Sequence, residues 1–451
     1  MKAPGPRGHW LLGSLAEIQR DMPGVLSRVA RDHGGVSRIR VGPTAMYLIA
    51  DGEVIVDLLT HRAGELRKSS RTRWALGGHL GDGLITLEGV QHRWHRRLVQ
   101  PVMHTRSIAA QADTMVTLAE SRVASWADGS TVDILAEMQD LALRIVCAAL
   151  FHVDTVEETE RFVAAVHAFA ASLNVVLRRA FPIPGWLPTS GNRLRRRTVG
   201  AVDDLAYDLI RRRRRWPGED LLSLLVLASD ADGGPALSDR EVRDELMTMF
   251  FAGHETSAAT LTWSLYLLAQ HPSIADDLRA EIAALGVTRV DLADLTRLPL
   301  LGQVVAETLR LYPPAWVFDR SPRRALAVGG YRIPRGANVL LSPWVVQRDP
   351  QVWDDPDAFR PSRFAGGANP PRSAYLPFGD GPRMCVGNRF AESEIRIVLA
   401  TLLPRVDLSL VEGQTVQPEG DATLRPRGGL RMVVHRRRRA TSATTAENRQ
   451  S

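Results

Sequence analysis

The amino-acid sequence predicts a mainly α fold with a small β lobe. From about residue 100 to 285, apolar residues recur every three or four positions, the spacing that gives a helix one buried face. Within that stretch Ser238 and Glu241 form an S-x-x-E capping box, and no proline follows until Pro272. At about 1.5 Å per residue, some thirty residues span roughly 45 Å, enough to cross a whole domain. Strand-like runs are read in the first 60 residues and again at 409–436.

In chain order, a Pro/Gly-rich lead-in gives way to short alternating runs such as "AMYLIAD" at 45–51, so a β-rich lobe is placed at about 30–65. A helical body follows over about 65–405. The middle of its long helix reads "FFAGHETSAAT", where Gly253 and a polar triplet interrupt an apolar run. An interior glycine costs about 1 kcal/mol against alanine, and polar groups buried there need partners. Such a break points to a site. The stretch "VGNRFAESEIRIVLATLLP" is an amphipathic helix that stops at Pro404. Strand-and-turn chemistry returns at about 406–435, closing a single domain over 1–435, and 436–451 reads as a disordered tail.

Apolar residues make up 45% of the chain and charged ones 24%, an ordinary globular balance. The two cysteines lie in dissimilar surroundings, which gives no disulfide framework and favours the cytoplasm. No CxxC pair exists, so the common zinc and dithiol readings fall. No N-terminal run suits a signal peptide, and no membrane span is expected. The net charge of +7 gathers in arginine clusters at 193–197, 211–215 and 436–439. No helix-turn-helix, finger or aromatic-interleaved basic motif accompanies them, so they read as solvated helix ends and a tail rather than a nucleic-acid surface.

Cys147 sits in the apolar run "LALRIVCAALF", as a core cysteine does. Cys385 does not: "FGDGPRMCVG" places it between glycine turns, just ahead of a helix. Free N–H groups and the helix dipole there favour a thiolate. A nucleophile needs a nearby base, and this segment has no histidine. A metal ligand needs a rigid loop and positive charge, which Arg383 supplies. The pair His254-Glu255 is no zinc-protease motif, because H-E-x-x-H needs histidine where Ala258 stands.

The pattern Phe378-x-x-Gly381-x-Arg383-x-Cys385-x-Gly387 resembles the haem-binding loop of the cytochrome P450 family. Other family marks follow in order. Glu307 and Arg310 stand in "ETLR", and Arg363 in "FRPSRF" resembles the third member of a Glu-Arg-Arg triad. "AGHETS" resembles the oxygen-activating stretch of the central helix, and Gly89, His92 and Arg96 match a Gly-x-x-His-x-x-x-Arg pattern. The resemblance covers about residues 5 to 435. It implies the family's triangular helical prism around a buried haem.

The resemblance also assigns roles. Cys385 would be the axial iron ligand, its sulfur favouring O–O cleavage, with Phe378 and Gly381 shaping the loop around it. His92, Arg96, Arg320 and Arg383 would pair with the haem propionates. Glu255 and Thr256 would deliver protons during oxygen activation, with the Thr256 hydroxyl bonding back to the Ala252 carbonyl. Glu307, Arg310 and Arg363 would be structural. Thr248, Phe251, Ala252, Ala315, Trp316 and Phe318 would border the substrate, although the aromatic members suit a core equally well.

The implied enzyme is a haem b monooxygenase that uses O2 and electrons drawn ultimately from NAD(P)H. It would hydroxylate or epoxidise a hydrophobic small molecule, with a terpenoid of secondary metabolism favoured. A polyketide, macrolide or fatty acid as substrate, a peroxygenase, and a non-catalytic haem protein are the alternatives. About 48 residues follow Leu403, too few for a fused reductase. A separate acidic ferredoxin or flavodoxin with its reductase is therefore expected, docking near Arg97, Arg372 and Arg389.

Overall fold

The structure, a computed structural model, describes residues 1–153, 155–177, 179, 183–218, 220–228, 237–367 and 370–437. Most of the expected tail (438–451) and Arg178 lie outside these residues.

The chain opens with α1 (Leu15–His33), β1 (Val36–Val41), β2 (Thr44–Ile49), α2 (Gly52–Leu59), β3 (Leu66–Arg67) and α3 (Ser70–Leu80). It continues through α4 (Gly89–Val99), α5 (Thr105–Ala124), β4 (Thr131–Asp133), α6 (Ile134–Phe151), α7 (Val156–Leu177) and α8 (Ser190–Arg215). Then come α9 (Leu221–Leu227), α10 (Asp239–Gln270), α11 (Pro272–Ala283) and α12 (Pro299–Leu311). Four short strands follow: β5 (Phe318–Pro322), β6 (Leu326–Val328), β7 (Tyr331–Ile333) and β8 (Asn338–Leu341). The last elements are α13 (Pro343–Val346), α14 (Asn388–Leu402), β9 (Val406–Leu410), β10 (Pro418–Gly420), β11 (Leu424–Pro426) and β12 (Arg431–Arg436). The fold is mainly α with a small β lobe.

The capping box forms as the sequence requires. Ser238 Oγ accepts from the Glu241 amide at 3.3 Å, and the Glu241 carboxylate accepts from the Ser238 amide at 2.8 Å. From there α10 runs to Gln270, packed on α6, α8, α12 and α14. Phe250 anchors this core against Phe151 and Phe162, with ring centroids 4.6 and 5.5 Å away.

Three features depart from the sequence expectation. The lead-in contains a helix, α1, because Pro23 starts a new helical segment after a kink at Asp21, whose Oδ1 accepts from the Gly24 amide at 2.9 Å. The β lobe is not confined to 30–65. Its five-stranded sheet has the order β1-β2-β8-β5-β3, with β2 and β8 parallel, so strands from the expected helical body complete it. The arginines at 211–214 are not simply solvated, because they pair with Asp208, Glu158, Asp220 and Asp239 respectively.

By length and composition alone α7 is apolar enough to cross a membrane. Phe162, Val163, Val166, Phe169 and Leu173 bury one face of it within the protein, and it packs on α8, α3 and α6.

Candidate functional site

A cavity of ≈ 650 Å³ lies between α10, the loop before α14, β5 and α3. The Cys385 loop forms its floor. The Cys385 amide donates to the Phe378 carbonyl at 2.9 Å, and Asp380 Oδ1 accepts from the Gly381 amide at 2.6 Å. Gly381 adopts φ +67°, and a Cβ there would lie 1.9 Å from the Leu59 carbonyl oxygen at the end of α2. Only glycine fits so close an approach at that backbone angle.

The accessible surface of Cys385 opens into this cavity, while the protein around it is as dense as at a buried site. Burial pushes its thiol up, and the Gly387 amide and Arg96 only partly offset that. The helix terminus therefore does not lower this thiol on balance. The offsetting charge is also not the one expected. Arg96 reaches the loop, donating from Nη1 to the Met384 carbonyl at 2.7 Å, whereas Arg383 turns away to the Leu87 carbonyl at 2.6 Å.

One end of the cavity is cationic. Lys68, Arg320 and Arg383 line it. Burial, reinforced by Arg320, pulls the Lys68 ammonium down to about 7, and burial brings Arg383 down to about 10. Glu88 lies 3.5 Å from Arg383 but also serves Arg323 at 2.8 Å and the Lys68 amide at 2.7 Å. The Asp319 carboxylate accepts from Ser69 and Thr72. Positive charge is left in excess, and the buried Nη1 of Arg383 has no hydrogen-bond partner.

A group carrying carboxylates at one edge fits this end. His92 and Arg96 stand outside the cavity lining. His92 is buried, and burial together with Arg383, Arg96 and Lys68 pulls its imidazole down to about 3.

The opposite wall is α10. Phe251, Thr256, Ser257 and Thr260 line the cavity. Thr256 Oγ1 donates to the Ala252 carbonyl at 2.8 Å, and Thr260 Oγ1 to the Thr256 carbonyl at 3.0 Å. Glu255 is buried and faces away from the cavity. Its Oε1 accepts from Gln139 Nε2 at 3.2 Å and lies 3.6 Å from His254 Nε2, and its Oε2 accepts from Thr423 at 3.4 Å. Burial pushes this carboxyl up, but His254, Arg425 and Gln139 together hold it below the ordinary range. Thr256 and Glu255 are thus adjacent in sequence but point to different sides of α10.

Ala315, Trp316 and Phe318 border the cavity as well. Trp316 is nonetheless a core residue, with Nε1 donating to the Asp421 carbonyl at 3.3 Å. Thr248 and Ala252 are not in the lining. Thr248 packs on the Gly83 backbone, and the Ala252 carbonyl is taken by Thr256. The cavity continues outward between α1 and the β10–β11 turn, past Leu15, Ile18, Met22 and Gly420.

A sequence profile described as Cytochrome P450 matches residues 3–432. The chain belongs to the cytochrome P450 family. It is similar to "Cyclooctatin synthase" of Streptomyces melanosporofaciens, 33% identical over 89% of this chain and 88% of that one. It is 34% identical to "Pentalenene oxygenase" of Streptomyces avermitilis over 90% and 89% of the two chains. The crystal structure of a cytochrome P450DA haem domain shares the fold, with a TM-score of 0.85, 24% identity and 97% of each chain covered. The protein is accordingly a P450 monooxygenase. The family implies a haem-thiolate cofactor, O2 and a redox partner, and the cavity's sulfur floor and cationic end fit that cofactor.

Behind the P450 loop, Arg310 donates to Glu307 at 2.7 and 2.8 Å, and Arg363 Nε donates to Glu307 at 3.3 Å. Arg310 also holds the carbonyls of Gln347, Pro356 and Ala358, which fixes the chain leading to the loop. Sequence reading missed Lys68, Gln139 and Thr423. All three reach the site through tertiary pairing and carry no local motif.

Proposed function

We propose that Cys385 would hold a haem in this cavity through its thiolate sulfur and that the substrate is a terpenoid. What carries the reading is a cysteine sulfur opening onto the floor of an otherwise mainly apolar cavity whose far end is cationic. Bound there, haem supplies activation of O2 and insertion of one oxygen atom into a C–H or C=C bond. Lys68, Arg320 and Arg383 hold the carboxylate edge. Arg96 and the glycine turns hold the sulfur in place. Thr256 orders hydrogen bonding on the α10 wall, and Glu255 stores charge behind it.

Phe251, Ala315, Val317 and Phe318 offer apolar contact, so shape and expulsion of water select the substrate. A cavity of ≈ 650 Å³ has to hold cofactor and substrate together, which favours a compact cyclic skeleton. The names of two similar bacterial proteins, cyclooctatin synthase and pentalenene oxygenase, point the same way.

Electrons come from NAD(P)H through a separate acidic ferredoxin or flavodoxin. Exposed Arg97, Arg372 and Arg389 offer that partner complementary charge. A cytoplasmic location goes with this reading, since both cysteines are free.

The test is optical. The reduced, carbon-monoxide-bound protein should show the red-shifted Soret band of thiolate ligation, and Cys385→His should lack it. Cyclic terpenes should shift the iron spin state on binding. An unchanged band in Cys385→Ser defeats the ligand assignment. A charged macrolide that binds tightly where no terpene shifts the spin state defeats the substrate.

A further inference from the structure

A second cavity, of ≈ 710 Å³, lies between α3, α4 and the first turns of α10. Helix α3 is the wall between the two. Ala75 and Leu76 border the first cavity, whereas Ser70, Arg73, Trp74 and Gly77, at i, i+3, i+4 and i+7, border the second. No described residue lines both.

Two residues on the α3 face have no role in packing. Trp74 is half-buried but belongs to none of the three hydrophobic clusters, and its indole N–H has no partner among the described residues. A Cβ built on Gly77, one turn later, would meet nothing within 4 Å. Glycine inside a helix is unfavourable against alanine, and no neighbouring atom requires this one. Its effect is to keep the space beside Trp74 open.

The floor carries a buried imidazole with one nitrogen to spare. His95 is 2% exposed, and its Nδ1 lies 2.6 Å from Glu245 Oε1. That pairing leaves Nε2, which has no partner among the described residues, to the cavity. Nε2 accepts a hydrogen bond in the neutral ring and donates one in the charged ring. A hydroxyl satisfies it in either state.

The remaining lining mixes both signs of charge. Glu88, Glu241 and Asp244 are already engaged, by Arg323, by the Ser238 amide and by Arg243 respectively. Arg73, Arg240 and Asp82 are exposed at the rim and form no ion pair among the described residues. An anion entering here meets Asp82, and a cation meets the two arginines. A neutral ligand rich in hydroxyls meets no like charge, because each hydroxyl both donates and accepts. A sugar ring also offers C–H groups to the negative face of an indole.

From this arrangement we infer that the cleft is a second binding site, separate from the substrate cavity, for a neutral sugar or the sugar part of a glycoside. The ring lies against Trp74 in the space left by Gly77, and a hydroxyl pairs with His95 Nε2.

The test is saturation-transfer NMR on the purified holoprotein. The probes are methyl glucoside, methyl galactoside, methyl mannoside and N-acetylglucosamine, with glucose 6-phosphate and glucosamine as anionic and cationic counterparts. At least one neutral sugar should bind with a Kd below about 10 mM, and more tightly than either charged counterpart. An excess of a cyclic terpene should not displace it. Gly77→Leu fills the open space and should weaken binding about tenfold or more, yet melt no lower than the wild type, since leucine suits a helix better than glycine. Trp74→Ala should weaken binding to a similar degree.

No neutral sugar binding below about 10 mM, tighter binding of a charged counterpart, displacement by the terpene, or unchanged binding in either variant would overturn the inference. If Gly77→Leu does not fold, Trp74→Ala, which changes a side chain outside the core, still decides.

Discussion

Arg96 Nη1 donates a 2.7 Å hydrogen bond to the carbonyl of Met384, the residue before Cys385. Helix α4 thereby holds the cysteine loop from a part of the chain remote in sequence. A hydrogen bond from a charged donor is worth about 1.5–3 kcal/mol. Arg96→Lys replaces a planar fork with a single compact charge that does not reproduce this geometry. Haem content after gel filtration should drop in Arg96→Lys and further in Arg96→Ala. Full haem retention in Arg96→Ala would mean that the loop needs no support from α4.

Gly381→Ala should be more damaging than its size suggests. The new Cβ would lie 1.9 Å from the Leu59 carbonyl oxygen, at φ +67°. Gly413 makes a good control, since it has φ +74° and nothing within 4 Å of a built Cβ. Gly413→Ala therefore carries only the backbone strain of about 1–2 kcal/mol. Gly381→Ala adds the collision, and it should displace the loop and lose haem. Equal melting temperatures and haem contents in the two variants would refute the collision.

Glu307→Gln keeps the shape of the buried triad and removes its charge. Arg310, fully buried, would then face a neutral amide. Breaking a buried pair costs about 3–5 kcal/mol, because the remaining charge has nowhere to go. The urea midpoint should fall accordingly, and haem should leave early in the transition. A loss under about 1 kcal/mol would show that the carbonyls of Gln347, Pro356 and Ala358 satisfy Arg310 by themselves.

Thr256→Ala should leave haem content intact and divert most reducing equivalents from product to peroxide. The substitution frees the Ala252 carbonyl and removes a hydroxyl from the cavity wall. Proton delivery then loses one of its ordering groups. The measurement is product against peroxide per NAD(P)H consumed. Full coupling in the variant would reduce Thr256 to a helix residue.

What was legible in the sequence is what local chemistry determines. The Ser238 capping box, the stop of α14 before Pro404 and the glycine turns around Cys385 each act within a few residues. Tertiary pairing left no comparable mark. Strand β8 joins β2 in parallel across most of the chain, through runs too short to announce themselves. Lys68 enters the cationic end because β3 pairs with β5, which carries Arg320 close to it. The orientation of Glu255 follows from Gln139 and Thr423, on elements that no spacing rule connects to α10. Glu255 and Thr256 share one short motif, but their partners differ because neighbouring positions on a helix point in different directions.

His79 makes the packing of α3 on α7 and α8 sensitive to pH. It lies near the end of α3, 1% exposed, with Nε2 3.1 Å from Ser172 Oγ of α7. Ser172 Oγ in turn accepts from Thr198 of α8 at 2.8 Å, so one small network ties three helices together. Burial pulls the imidazole from its ordinary 6.5 down to about 4, and Arg195, Arg179 and Arg243 add to the effect. Between those values the unfolded chain takes up a proton that the folded protein refuses. Stability therefore falls as the pH drops from 6.5 toward 4, by up to about 3 kcal/mol from this group. Above pH 6.5 the group is neutral in both states and contributes no slope. His79→Gln keeps a donor for Ser172 and does not titrate. Its melting temperature should consequently fall less steeply between pH 6.5 and 5 than that of the wild type. Parallel slopes for the two proteins would show that the acid sensitivity belongs to other groups.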